Sequence, residues 1–305
     1  MGLPIVHRLI KERMIQKQGK IIKGIGGFYY IKTADSDTVI CCKARGNFRY
    51  KKMVPMIGDI VEIEIKEFGE AQIRRILKRK NAFERPPVAN VDLALIVFSL
   101  TAPEPNLVLL DKMVIEAEWR SIEPLIIFTK KDLVDQKEIE KLQEIYKNTG
   151  YSLLFLSKDS EITPLVQKMQ GKTTFMAGPS GVGKSTLTNH ICQDQVMEIG
   201  TISHKTERGK HTTRHIQLLE LSNGGSLLDT PGFSALDLND QMTPELLTQY
   251  YPEFSAVSCK FANCQHINEP GCKVKEAVEN GQIHPVRYQN YCHLWQNLKS
   301  RKKKY

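Results

Sequence analysis

Long hydrophobic runs are absent from this chain. The longest, Leu93 to Leu100, is far too short to cross a bilayer. The opening residues MGLPIV carry no charged region leading into an apolar core, so neither a membrane span nor a secretory leader is expected. Val6 stands where a myristoylation signal needs Ser or Thr. Acidic residues are also in short supply: 34 Asp and Glu against 43 Lys and Arg give a net charge of +9 and a pI near 9.1. That balance favours an acidic partner such as nucleic acid, with a merely solvated basic surface as the alternative. The 7 cysteines are an odd number and cannot all pair. Several crowd with a histidine near the carboxyl end, which suits metal binding in a reducing compartment better than a disulfide framework, and a cytoplasmic location is expected. The 305 residues, 41% hydrophobic and 25% charged, have an ordinary soluble composition, with room for about two or three domains.

The texture changes along the chain. Residues 1–18 read as a basic arm, helical or loose. From 19 to 80 the pattern is β. Ile21-Ile22, Phe28 to Ile31, Val39 to Cys42, Ile60 to Ile65 and Ile73 to Leu77 read as short strands, with Val61, Ile63 and Ile65 alternating with Glu62 and Glu64. Strands this short and closely spaced predict an OB-type barrel, an SH3-like barrel being the other closed sheet of this size. Asn81 to Asn90, with Pro86-Pro87, reads as a linker. Strands then alternate with helices: VDLALIVFSL, Leu107 to Arg120, PLIIFTKKD, Gln136 to Thr149, SLLFLS, TTFMAGPSGVGKS and SLLDTPG. Alternation of this kind predicts a parallel sheet with ligand loops at the carboxyl ends of its strands. From Ser234 onward strands give way to helices, one starting at Thr243-Pro244. The expected domains are therefore 19–80, 81–235 and 236–305, the last ending in a basic tail.

Three motifs carry chemistry, and their order is unusual. GPSGVGKS (Gly178, Pro179, Ser180, Gly181, Val182, Gly183, Lys184, Ser185) fits the phosphate loop G-x-x-x-x-G-K-[ST], lies between a strand and a helix, and is followed by Thr186. Backbone N–H groups there cradle phosphates, Lys184 reaches the β and γ phosphates, and Ser185 binds magnesium. DTPG places Asp229 to hold magnesium through water and the Gly232 N–H to sense the γ-phosphate. TKKD (Thr129, Lys130, Lys131, Asp132) is a base reader. Its Asp132 accepts from the guanine N1–H and exocyclic amine, a donor pair that adenine lacks. Lys130 packs over the base, and Thr129 replaces the usual Asn. Ser157, after SLLFL, falls where a second base-contacting loop belongs. In an ordinary GTPase the base reader follows DxxG, whereas here it precedes the phosphate loop. Phe233 stands where many GTPases carry a water-orienting Gln. GKHTTRH (Gly209 to His215) occupies the switch I position. Thr212 or Thr213 reaches magnesium there, and His211 is either the water-positioning group or a plain surface histidine.

Cys259, Cys264, His266 and Cys272 form C-x4-C-x-H-x5-C, a closed set for one structural zinc. KARGNFRYKK (Lys43 to Lys52) interleaves basic and aromatic residues, and Lys299, Arg301, Lys302, Lys303 and Lys304 add charge at the tail. Both suit phosphate and base contacts, with a solvated hairpin and a disordered tail as alternatives.

With its permuted motif order, GPSGVGKST, GKHTT and a Cys-Cys-His-Cys cluster after DTPGF, the chain resembles the circularly permuted, ribosome small-subunit-dependent GTPases, the RsgA or YjeQ/YloQ family. The resemblance runs from about Gly19 to about Leu298. It implies an α/β P-loop GTPase domain, circularly permuted, flanked by an N-terminal OB-type barrel and a C-terminal helical zinc-binding domain. It also implies a monomer that binds GTP and GDP with Mg²⁺, engages the small ribosomal subunit and its rRNA late in maturation, and hydrolyses GTP faster on that subunit. In this family the switch I histidine is held to be catalytic, which points to His211. The competing function is a zinc-containing RNA-binding nucleotide switch acting on another RNA, with incidental hydrolysis.

Overall fold

Buried and exposed residues alternate in the first five strands of the computed structural model, which describes residues 15–33, 35, 38–44, 48, 53–66, 70–84, 86–195, 217–229 and 237–301. Residues 1–14 and 302–305, most of the GNFRYKK segment, GKHTTRH up to Arg214-His215, and the TPGF residues lie outside that description. The chain forms two compact units, one built on the chain up to Asn90 and rejoined by residues 217–219, the other on most of the chain from Val91.

In the first unit, β1 (Ile15–Ile25), β2 (Phe28–Thr33), β3 (Val39–Ala44), β4 (Ile60–Ile65) and β5 (Ala71–Ile76) close into a barrel. β1 pairs with both β2 and β4, β2 with β3, β3 with β5 in parallel, and β5 with β4. This circuit is the closed five-strand Greek key of the OB fold, which decides against the SH3-like alternative. Ile21, Ile31, Cys42, Val61, Ile63 and Ile73 fill its interior. Residues 15–18, read as part of an arm, belong to β1, where Ile15 to Gln18 pair with Ile65 to Glu62. The arm reading failed because basic residues dominate this stretch, while its pairing partner lies far along the chain.

Asn81 to Asn90 is not an open linker. β6 (Ala82–Phe83) and β7 (Val88–Ala89) form a small hairpin whose Phe83, Val88 and Ala89 are buried. Asn90 Nδ2 donates to the Gly58 carbonyl at 2.9 Å, and its Oδ1 accepts from the Lys80 N–H at 2.9 Å. Gly58 has φ 87°, and a Cβ there would lie 2.1 Å from the Ala89 carbonyl oxygen, so no larger residue fits. The buried Asp59 accepts from Arg79 Nε and Nη2 at 2.7 and 2.8 Å and from the Met56 N–H at 2.7 Å, pinning the exit from β5. Pro86-Pro87 suggested a linker because the burial of this hairpin comes from the barrel, which local sequence does not reveal. β12 (Gln217–Glu220), unforeseen in the sequence, meets β1 at Lys23↔Gln217.

In the second unit, β8 (Leu93–Ser99), β9 (Glu123–Thr129), β10 (Ser152–Leu156), β11 (Thr173–Ala177) and β13 (Ser226–Asp229) form a parallel sheet in the order β10-β9-β8-β11-β13. Every residue of β8 and β11 is buried, as expected of strands covered on both faces. The helices are α1 (Leu107–Trp119), capped by Asn106, α2 (Gln136–Tyr146), α3 (Thr163–Lys168) and α4 (Lys184–Gln195). The carboxyl-terminal part adds α5 (Pro244–Leu247), 3₁₀ turns at Thr248–Tyr250 and Pro252–Ala256, α6 (Lys273–Glu279) and α7 (Pro285–Ser300). Thr243 does stand before Pro244 at the start of α5, but its side chain makes no capping hydrogen bond. His284, which has no role in the sequence reading, caps α7 by accepting from the Val286 N–H at 3.2 Å.

A buried charge network joins these helices. Arg287 of α7 pairs with Asp111 of α1 and, through Nε at 2.7 Å, with Glu253. Asp111 also accepts from Asn290 Nδ2 at 2.7 Å and from the Tyr146 hydroxyl at 2.9 Å. The guanidinium lies 4.5 Å from the Tyr251 ring centroid and 5.2 Å from that of Tyr146. Removing one member of such a set strands its partners out of water. Asp111→Ala is therefore expected to lower unfolding free energy by about 3–5 kcal/mol in urea titrations, and a loss below about 1 kcal/mol would show that the network does not hold α1 to α7.

Candidate functional site

Parallel pairing brings the predicted loops to one edge. Ser99 of β8 lies beside Thr129 of β9, Leu156 of β10 beside Thr129, and Ala177 of β11 beside Ile96 of β8. The TKKD loop, the Ser157 loop and the phosphate loop therefore leave the same side of the sheet. β13 runs parallel to β11 and ends at Asp229, so the DTPG loop starts at that edge too.

The phosphate loop has the backbone that its glycines imply. Gly178 has φ 144°, and a Cβ would lie 2.0 Å from the Val97 carbonyl oxygen, so the loop can turn beside β8 only with glycine. α4 starts at Lys184, and the Leu187 N–H donates to the Gly183 carbonyl at 2.9 Å. Lys184 Nζ donates to the Gly178 and Pro179 carbonyls, each at 2.6 Å, which folds the cation over the loop where phosphate oxygens bind. Burial lowers its pKa. Ser180, Gly181, Ser185 and Thr186 are exposed, while Val182 is buried.

Thr129 locks the base loop to the phosphate loop. Its buried Oγ1 donates to the Val182 carbonyl at 2.6 Å and lies 3.3 Å from the Phe98 carbonyl oxygen. A hydroxyl can therefore bridge the two loops from a position where Asn is the common choice. Lys130 takes a left-handed conformation, φ 62°, and its Nζ donates to the Ala102 carbonyl and, at 3.3 Å, to that of Gly181. Lys131 and Asp132 lie in a 3₁₀ turn, Lys131–Leu133. Ser160 Oγ braces Ser157, accepting from its N–H at 2.7 Å and lying 2.8 Å from its hydroxyl.

These pieces enclose a cavity of about 220 Å³, lined by Thr129, Lys130, Asp132, Leu156, Ser157, Lys158, Ile162, Gly183, Thr186, Leu187 and His190. Leu156, Ile162 and Leu187 supply apolar surface for a flat ring, and the polar groups sit around it. Lys131 does not line it. Lys158, Ile162, Leu187 and His190 were missed in the sequence. Leu187 and His190 lie on one face of α4 at helical spacing, a signal that the phosphate motif itself does not contain. His211, Thr212, Thr213 and Gly232 fall outside the described residues, as does the side chain of Asp229.

The metal cluster is also assembled. The ligand atoms of Cys259, Cys264, His266 and Cys272 all lie within 4.8 Å of one another. His266 Nδ1 is 3.5 Å from Cys259 Sγ and 3.3 Å from Cys272 Sγ, and those two sulfurs are 3.9 Å apart. A tetrahedral zinc with ordinary bond lengths sets sulfur–sulfur spacings near about 3.8 Å and nitrogen–sulfur spacings near about 3.6 Å, so the set fits that ion. His266 sits at φ 59°, a strained conformation held by its neighbours. Tyr288 and Tyr291 hydroxyls donate to the His266 and Gln265 carbonyls at 2.7 and 2.6 Å. Burial pushes the Glu269 carboxyl up, but N–H donors of Gln265, Ile267 and Asn268 outweigh it and hold it below its usual range. Burial pushes the Cys264 thiol up to about 12, so this site becomes a thiolate set only with a cation to balance it. Metal analysis of the purified protein is expected to find one zinc per chain. Cys264→Ser should lose the zinc and raise proteolytic cleavage around residues 259–272 while nucleotide affinity stays near the parent value. Stoichiometric absence of zinc from the parent protein would reject the assignment.

Among the described residues no helix is long and apolar enough to cross a membrane. Residues 76–239 match the RsgA GTPase family model and residues 18–73 the RsgA N-terminal domain model. The small ribosomal subunit biogenesis GTPase RsgA of Agathobacter rectalis is 44% identical over 300 residues, covering 93% of this chain and 99% of that protein. The protein of the same name from Clostridium botulinum is 44% identical over 291 residues, covering 94% and 99%. Among solved structures, YjeQ from Thermotoga maritima superposes with a TM-score of 0.82 at 35% identity, over 94% of this chain and 100% of that one. YloQ, a circularly permuted GTPase, superposes with a TM-score of 0.81 at 36% identity over 100% of both. With its closed amino-terminal barrel, its base reader placed ahead of its phosphate loop, and a Cys₃His cluster fit for zinc, the chain belongs to the RsgA family of circularly permuted GTPases.

Proposed function

We propose that this GTPase acts in biogenesis of the small ribosomal subunit, binding that subunit and its rRNA and hydrolysing GTP to GDP and phosphate late in the subunit's maturation. The observation that carries the reading is the cavity in which the TKKD loop, the Ser157 loop and the start of α4 meet. Within it, Asp132 accepts from the guanine N1–H and amine, Lys130 and Leu187 flank the base, and Ser157 contacts its edge. Gly178 to Thr186 cradle the phosphates, with Lys184 transferring from the Gly178 and Pro179 carbonyls to phosphate oxygens. Ser185 and either Thr212 or Thr213 hold magnesium, with Asp229 bound to it through water and the Gly232 N–H at the γ-phosphate. Bound there, magnesium neutralises charge on the phosphates. His211 positions the attacking water, since Phe233 has no group to do so. The barrel, the GTPase domain (81–235) and the zinc domain (236–305) work in one cytoplasmic monomer.

Two experiments test the reading. Asp132→Asn exchanges the acceptor for an amide and is expected to move preference from GTP to XTP; equal GTP and XTP affinities before and after the change would reject the base assignment. Hydrolysis measured with and without purified small subunits is expected to show strong stimulation. His211→Ala should remove most of it, on the order of 10²–10⁴-fold, with GTP affinity and subunit binding near the parent values, whereas Lys184→Ala should weaken GTP binding itself. Full stimulation in His211→Ala would transfer the catalytic role to a ribosomal group, and no stimulation in the parent protein would reject the ribosomal function.

A further inference from the structure

The barrel carries an exposed aromatic and basic face on β1, β2 and β3, apart from the KARGNFRYKK loop. In β2, Ile31 and Thr33 are buried, so Phe28 and Tyr30 point outward. Phe28 is 41% exposed, a high value for a phenyl ring in a strand. Directly opposite residues in antiparallel strands share a face with Cβ atoms about 4.5–5.5 Å apart. The register therefore makes two rows, Ile25·Phe28·Lys43 and Lys23·Tyr30·Cys41. Successive same-face positions are about 6.8 Å apart along a strand. Each row thus presents one aromatic ring and one lysine, and none of the six residues is acidic.

We propose that this face is a stacking platform for single-stranded RNA, an inference that rests on the rRNA-binding reading above and gives it a specific surface. Strands 2 and 3 form the face that OB barrels use for oligonucleotides. Rings on adjacent rows take successive bases, because every base has a π-face. Lys43 Nζ now lies 5.1 Å from the Phe28 ring centroid. On binding, the ammonium exchanges the ring for a phosphate, and the ring face it leaves takes a base. Lys23 serves the second row in the same way. An exposed apolar ring with lysines beside it and no carboxylate fits RNA better than an apolar protein groove, which would leave the lysines unpaired.

The test uses the full-length protein and a fluorescent, unstructured 12-nucleotide oligouridylate. Phe28→Ala and Tyr30→Ala are each expected to weaken binding roughly tenfold, and Phe28→Tyr should retain it. Lys43→Ala should reduce the salt dependence of binding by about one counterion. Basal GTP hydrolysis should be unchanged in all four, since none lies in the nucleotide cavity. Parent-like RNA affinity in both alanine variants overturns the platform, as does equal competition by polyglutamate, which would reduce the face to bare charge. A parent protein stimulated by small subunits but unable to bind the oligonucleotide overturns the platform and leaves the ribosomal function standing. Binding lost in Phe28→Ala, in a parent protein that subunits do not stimulate, upholds the platform and rejects the ribosomal function.

Discussion

The parallel register between β8 and β11 is the constraint on which the nucleotide site depends. It sets Thr174 beside Leu93 and Ala177 beside Ile96, residues far apart in the chain. Through it the base-reading half, which comes first in sequence, and the phosphate-binding half, which follows, end at one edge. Chain order is then irrelevant to the site: a sheet is defined by its hydrogen-bonded neighbours, and opening a loop elsewhere leaves those neighbours in place. The register also dictates Gly178, which passes so close to the Val97 carbonyl that no side chain can be accommodated. Thr129 completes the junction by bonding across to Val182. The permutation therefore costs the site nothing as long as β8 and β11 pair.

Arg287 plays a comparable part for the carboxyl-terminal helices. A short segment closed by a zinc cluster buries little surface of its own, so its position must come from contacts with a larger body. Asp111, Glu253, Asn290 and Tyr146 supply these at one point and draw on α1, α2 and α7. Buried ion sets of this kind add little net stability but tolerate few alternative geometries, because every misplacement leaves a charge unpaired. Apolar packing between Ile115 of α1 and the cluster around Leu247, Tyr251 and Leu294 supplies the non-directional part of the same contact.

Much of this was legible in the sequence, for reasons that can be stated. The strands of the barrel show period-2 alternation, and those of the sheet are short apolar runs ending in Gly- or Asp-bearing loops. The Cys-x4-Cys-x-His-x5-Cys spacing brings its four ligands together through local turns. What stayed hidden depends on distant partners. Ile15 to Gln18 become a strand only because β4 is there to pair with them. Asn81 to Asn90 becomes a hairpin because Gly58 and Ile57 receive it. Arg287 looks like any helical arginine until Asp111, 176 positions earlier by their numbers, is seen beside it. His190 and Lys158 carry no motif, and only the shape of the cavity selects them.

The segment after DTPG shows how the two carboxyl-terminal elements meet the nucleotide site. Glu116 of α1, itself buried, accepts from the Asn239 N–H at 2.9 Å while its other oxygen accepts from Arg120 Nε at 2.8 Å. Lys112 of α1 pairs with Asp237 at 2.5 Å, and Arg301, just past α7, donates to the Leu238 and Asn239 carbonyls at 3.2 and 3.3 Å. The chain therefore leaves β13 at Asp229 and is fixed again at 237–239 by side chains from both α1 and the end of α7. A nucleotide-dependent change in the DTPG loop meets that anchor before it meets the zinc cluster. Permutation alone suggests that the loop pulls freely on the carboxyl-terminal domain. The anchor instead makes α1 the shared support: it carries Lys112 and Glu116 toward the loop's exit and Asp111 toward Arg287, on adjoining turns of one rigid helix. Coupling between nucleotide state and the zinc domain then has to pass through the orientation of α1, because no slack chain separates the two.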